Sequence, residues 1–117
     1  MNKAFYGKGR LKVCERNKTE ARYEAWLEVQ KRAGNIIRYD FEAVTLKLAD
    51  NTRYTPDFMV MKPDGEIEFH EVKGAWAIFQ DDAKVKIKVA SAMFPFRFIA
   101  VAPIAAKNGG GWDVKEF

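Results

Sequence analysis

The chain has 117 residues, 48% hydrophobic, 31% charged and 14% aromatic. That length and composition predict one compact domain and exclude a disordered tail, which lacks the apolar surface to offset the entropy of ordering. One cysteine, Cys14, excludes an internal disulfide and a four-cysteine zinc site. One histidine, His70, argues against histidine-rich metal centres and most Ser-His or Cys-His triads. No apolar run approaches the roughly 18 residues of a membrane span, and no secretory h-region opens the chain. The expectation is a reduced, soluble, cytoplasmic domain with no membrane partner.

Net charge is +4, yet the first 38 residues hold ten basic and four acidic side chains, a local +6. The domain is therefore read as residues 1–117 with a basic arm over about 1–16, where Lys8, Arg10 and Lys12 sit among Gly7 and Gly9. Such an arm suits a phosphate backbone, whose counterions it would release. A solvated lysine-rich surface accounts for the same residues.

A helix is predicted over 19–33, capped by Asn17 or Thr19 and ended by Gly34-Asn35. Residues 36–41 and 43–48 read as extended, with Val44, Leu46 and Leu48 alternating against polar neighbours, and 49–52 as a turn. Strands over 54–61 and 66–73 flank Lys62-Pro63-Asp64-Gly65, where Pro63 pre-sets a turn and Gly65 supplies a left-handed residue. A second helix over 77–94 stops at Pro95. A strand buried on both faces follows over 96–102, then a loop over 107–111 and a last strand over 112–117. The fold class is α/β: a central mixed sheet flanked by helices.

A three-residue loop with a bulge at Gly65 opposes Lys62 to Glu66, Met61 to Ile67, Met59 to Phe69 and Asp57 to Glu71. One hairpin face then runs Ile67, Phe69, Met59, Met61 and ends in two carboxylates, with Lys73 two residues beyond Glu71 on the same side. Opposed acids with Cβ atoms roughly 5 Å apart repel. A divalent cation between them would remove that conflict, and Lys73 could orient its water or stabilise charge on a phosphate. A salt bridge from one acid to Lys73 is the alternative reading of the same spacing. His70 has the opposite parity and belongs to the other face. Lys84 and Lys88, one helical turn apart, could meet phosphates or simply face water. Trp76 and Trp112 could stack on bases or fill the core.

Thr55-Pro56-Asp57-Phe58, followed by Glu71-Val72-Lys73-Gly74, resembles the PD-(D/E)XK nuclease superfamily. The resemblance runs from about residue 19 to 102, and in size and layout the chain is similar to small phage-type Holliday-junction resolvases of the endonuclease I kind. It implies a restriction-endonuclease-like α-β-β-β-α-β core. It also implies a metal-dependent endonuclease that hydrolyses DNA phosphodiester bonds, with Mg2+ or Mn2+ held by Asp57, Glu71 and the Val72 carbonyl. Lys73 would assist the water, and an acid of the first helix would complete the site. On a helical wheel Glu20 lies about 85° from the core direction set by Tyr23, Trp26, Leu27 and Ala33, Glu24 about 125° and Glu28 about 165°. Glu20 is the first choice for that acid and Glu24 the second. The implied partner is DNA, with branched DNA the expected form and a homodimer the expected cutter, in the cytoplasm, that of a host cell if the chain is phage-encoded. Same-fold cleavage of single-stranded or flap DNA, and an inactive nucleic-acid-binding module, are the alternatives.

Overall fold

The computed structural model describes residues 16–79 and 81–117. Lys8, Arg10, Lys12, Cys14 and the rest of the proposed basic arm up to residue 15 lie outside them, as does Gln80. Helix α1 spans Lys18–Arg32. It starts at a reciprocal cap: the Glu20 N–H donates to Asn17 Oδ1 at 2.8 Å, and the Asn17 N–H donates to Glu20 Oε1 at 3.0 Å. Gly34, at φ +84°, turns the chain away after the last helical residues.

Seven strands follow among the described residues: β1 Arg38–Phe41, β2 Leu46–Ala49, β3 Thr52–Tyr54, β4 Phe58–Met61, β5 Ile67–Val72, β6 Arg97–Pro103 and β7 Trp112–Glu116. Helix α2, Asp81–Met93, lies between β5 and β6. The main sheet has the order β1-β4-β5-β6-β7, while β2 and β3 form a separate two-stranded ribbon. Strands β5 and β6 are parallel and the other neighbours antiparallel, so the sheet is mixed, and α2 belongs to the crossover that parallel pairing requires.

The hairpin register matches the expectation, with Met59 opposite Phe69 and Met61 opposite Ile67. Its turn closes through Lys62 N–H to Glu66 O and Gly65 N–H to Lys62 O, both at 2.8 Å, with Gly65 at φ +91°. The strand read over 43–48 shortens to Leu46–Ala49, and two further boundaries differ in ways that shape the site. The strand expected over 54–61 is broken at Thr55-Pro56-Asp57, so Tyr54 ends the ribbon and Phe58 begins a main-sheet strand. Pro56 has no N–H for a ladder and disfavours a regular continuation. The second helix begins at Asp81 rather than residue 77, after a short 3-10 turn at Trp76–Ile78. Asp81 and Asp82 occupy its first turn, where acids complement the helix dipole.

Two apolar layers sandwich the sheet. On one face α1 packs Tyr23 and Leu27 onto Phe58, Val60, Val72, Ile99 and Val101. On the other, Ile87 and Ala90 of α2 meet Phe69, Phe98 and Ala100, together with Leu46 and Tyr54 of the ribbon. Alternation along β5 therefore sends Phe69 and Glu71 towards α2 and Val72 towards α1, while β6 is buried on both faces as expected. Trp26, placed on the core face by the wheel, is instead 40% exposed, and Ala33 is exposed too. Two large side chains, Tyr23 and Leu27, are enough to cover the sheet there. Among the described residues no helix is long and apolar enough to cross a membrane.

Candidate active site

The break at Pro56 delivers Asp57 to the end of the main sheet, one step past the Phe58–His70 pair. Its backbone carbonyl accepts the Glu42 N–H at 2.8 Å, and its Oδ2 accepts the Val72 N–H at 2.7 Å. Glu71, at the far end of β5, lies beside it. Both acids are only 8% exposed. Glu71 Oε1 accepts the Tyr54 hydroxyl at 2.8 Å, and Glu71 Oε2 faces Lys73 Nζ at 3.1 Å. The opposed acids and the salt bridge, alternatives in the sequence, thus occur together.

Burial, followed by the Glu71 charge, raises the Asp57 carboxyl far above the ordinary carboxylate range; the Val72 N–H pulls the other way. At about 5 Å and an effective dielectric near 20, two carboxylates repel by about 3 kcal/mol. A charge-assisted hydrogen bond returns roughly 1.5–3 kcal/mol, too little to cancel desolvation as well. Glu71 is raised for the same first reason, burial, against the pull of Lys73 and Tyr54. The pair holds a proton more readily than isolated carboxylates do.

Glu20 reaches this spot from the first turn of α1. It is 9% exposed, and its nearby carboxyl raises Asp57 further. Glu24 is turned aside into an ion pair with Arg16 at 2.6 Å, and Glu28 pairs with Arg32 at 3.0 Å. Of the three acids on the helix, the geometry brings Glu20 to the site.

Two neighbours escaped the sequence reading. Glu42 follows β1 at φ +47°, a left-handed conformation unusual for glutamate. Partial desolvation and the nearby Glu20 charge raise its carboxyl, and Glu71 adds to the effect. Tyr54 is the other. Both arrive from segments distant in sequence from Glu71; only the positive backbone angle and the break before Asp57 bring them in, and neither has a motif.

Among the described residues, no three His, Cys, Asp or Glu side chains stand spaced to grip a metal ion as they are. The chemistry of the donor set nevertheless fits a hard divalent cation, because Asp57, Glu71 and Glu20 are oxygen donors forced together with a shortage of positive charge. Each bonded carboxylate oxygen also keeps a second lone pair. Val72, expected to offer its carbonyl, takes part through its N–H.

Lys84 Nζ stands 5.6 Å from the centre of the Phe79 ring and Lys73 Nζ 5.7 Å from the same ring centre. Lys88 is exposed on the outer side of α2. Trp76 is held by Asp113, Nε1 to Oδ2 at 2.9 Å, beneath Lys115, and Trp112 packs edge-on against Tyr23. Both tryptophans thus pack onto the core while staying partly exposed.

His70 lies on the α1 face, as its parity requires. Burial lowers it, so the neutral ring bridges the Tyr23 hydroxyl at Nδ1 (2.7 Å) and Glu68 Oε1 at Nε2 (3.0 Å). Arg97 donates to Glu68 Oε2 at 2.8 Å, and the hydrogen bond from His70, with Arg97, holds Glu68 down at about 2. This network is separate from the acid cluster.

No family model, no curated protein and no solved structure matches this chain.

Proposed function

We propose that the chain is a metal-dependent endonuclease of the PD-(D/E)XK type, built on a restriction-endonuclease-like core, that hydrolyses DNA phosphodiester bonds. The observation that carries this reading is the meeting of Asp57 and Glu71 beside Lys73, whose ammonium lies 3.1 Å from Glu71. The order of helix, antiparallel strands, helix and parallel strand supports it, as does the arrival of Glu20 from the first helix.

Asp57, Glu71 and Glu20 would hold Mg2+ or Mn2+, with the Val72 carbonyl as a further oxygen. The bound cation supplies Lewis acidity, making water a better nucleophile near neutral pH and steadying the leaving oxygen. The protein's own part is positional. The Val72 N–H fixes Asp57, Tyr54 and Lys73 fix Glu71, and Lys73 presents a positive charge where an attacked phosphate would gain negative charge. Water would add to phosphorus as it gives up a proton to solvent, the P–O bond to the leaving strand would break with its electron pair on the leaving oxygen, and that oxygen would take a proton from solvent to leave as a hydroxyl. Lys84 would take a flanking phosphate, with Lys88 and the arm residues Lys8, Arg10 and Lys12 extending the contact.

Branched DNA is the proposed substrate, cut in two strands by a homodimer, because no separate base-reading module is present among the described residues. The test is cleavage of a labelled four-way junction beside matched duplex, flap and single strand, in Mg2+ or chelator, by wild type and Lys73→Ala. Paired Mg2+-dependent cuts near the branch, lost in the variant, are expected. Cutting confined to single-stranded or flap DNA would keep the chemistry and replace the substrate. Binding with no cutting of any substrate would leave an inactive nucleic-acid-binding module and overturn the proposal.

A further inference from the structure

Tyr54 closes the small ribbon, three residues before Asp57, and is 7% exposed. Its ring is part of the apolar layer with Leu46, Phe69, Phe79 and Phe98, so the side chain is anchored by packing and its hydroxyl is free to serve a partner. That partner is Glu71 Oε1, at 2.8 Å, while Lys73 holds Oε2 at 3.1 Å. The ribbon is steadied at its mouth by a 2.7 Å bond between the Thr45 and Thr55 hydroxyls, one residue beyond Tyr54.

We infer that Tyr54 is a positioning residue for Glu71, an assignment that rests on the nuclease reading above. A carboxylate beside an ammonium tends to offer it both oxygens, and Lys73 stands 3.1 Å from Glu71 Oε2. Without a second donor Glu71 would swing onto Lys73 and withdraw both groups from the reacting centre. The phenol hydroxyl pins the opposite oxygen. It fixes the carboxylate plane and limits Lys73 to one oxygen, and the ammonium keeps hydrogens for water or phosphate. Mg2+ needs such order, because it accepts little departure from octahedral geometry. Partners that orient metal ligands in this way commonly contribute about 10–100-fold in affinity or activity.

The discriminating variant is Tyr54→Phe, which keeps the ring and removes the hydroxyl. Thr45→Val loosens the ribbon without touching Glu71 and serves as its control. Two readouts are needed: the rise in unfolding temperature on adding Mg2+ or Mn2+ without DNA, and junction cleavage across a Mg2+ titration. Tyr54→Phe is expected to reduce the cation-dependent rise, to need more Mg2+ for half-maximal cleavage and to lower kcat by about 10–100-fold with KM for DNA unchanged. Thr45→Val should change none of these. A Tyr54→Phe protein with wild-type cation response and wild-type kcat would overturn the assignment, even if it melts at a lower temperature. So would equal losses in both variants, which would trace the effect to the ribbon. If wild type neither cleaves DNA nor responds to either cation, the nuclease reading itself falls and the role of Tyr54 with it.

Discussion

The Val72 N–H donates to Asp57 Oδ2 at 2.7 Å, so the amide that follows one acid in sequence fixes the other acid in space. Asp57 and Glu71 are thereby coupled through the backbone of β5 as well as through their charges. Removing one charge should relieve the other. Asp57→Asn is expected to abolish cleavage and to raise the unfolding temperature of the cation-free protein, since it removes like-charge repulsion at a buried site. Thermal melts in chelator with parallel cleavage assays check this. An unchanged or lower melting temperature would show that the two acids do not oppose each other.

The same crowding sets a pH dependence. Folded Asp57 and Glu71 retain protons at pH values where the unfolded chain has lost them, so folding takes up protons there. The contribution is fully present below the ordinary carboxylate pKa of about 4 and is lost as pH rises above it. Cation-free protein should therefore lose part of its stability between about pH 5 and pH 8, and saturating Mg2+ should restore it. Melting temperatures with chelator and with Mg2+ across that range measure the difference. Curves that stay parallel would exclude cation binding by this pair.

The network on the opposite face titrates in the other sense. Glu68, held at about 2, contributes stability that is present above its unfolded value and lost as pH falls towards 2. His70, lowered by burial, adds a loss as pH falls below about 6.5, where the unfolded imidazole takes a proton first. Glu68→Gln should cost on the order of 1–2 kcal/mol, because it takes the charge from the buried partner that His70 and Arg97 share, while Arg97 keeps Glu116 and the amide oxygen can still accept one bond. Urea unfolding gives the cost, and kcat for cleavage should be unchanged, since Glu68 is directed away from Asp57.

Lys84 and Lys88 should separate in DNA binding. Lys84→Ala is expected to weaken binding and to reduce the slope of log K against log salt by about one, the signature of one lost phosphate contact. Lys88, on the outer side of α2, should show a smaller change. Fluorescence anisotropy over a salt series distinguishes them, and equal effects would place both on the DNA path.

What was legible in the sequence was mostly local. Pro63, Asp64 and Gly65 determine the count of loop residues, and that count opposes Met59 to Phe69 and Phe58 to His70, one step short of Asp57 and Glu71. The helical period likewise separated Glu20 from Glu28. The misses have a common cause, since each depended on how distant segments meet. Pro56 marks a weak point in residues 54–61, but that it divides two sheets shows only once the ribbon is seen to pack on α2. Trp26 has the right period for the core, but Tyr23 and Leu27 already cover the sheet. Tyr54 reaches the acids through that same division, and Glu42 through its left-handed backbone after β1.

The outer strands of the main sheet are strongly charged. On β1, Arg38 pairs with Asp40 at 2.9 Å; on the exposed strand β7, Asp113, Lys115 and Glu116 take up most of the length, and Glu116 is tied to Arg97 at 2.7 Å. An incoming strand would have to strip water from these groups and confront their charges, a recognised safeguard against edge-to-edge polymerisation. Two copies of this chain are thus discouraged from joining edge to edge into one continuous main sheet, which turns any pairing towards other surfaces.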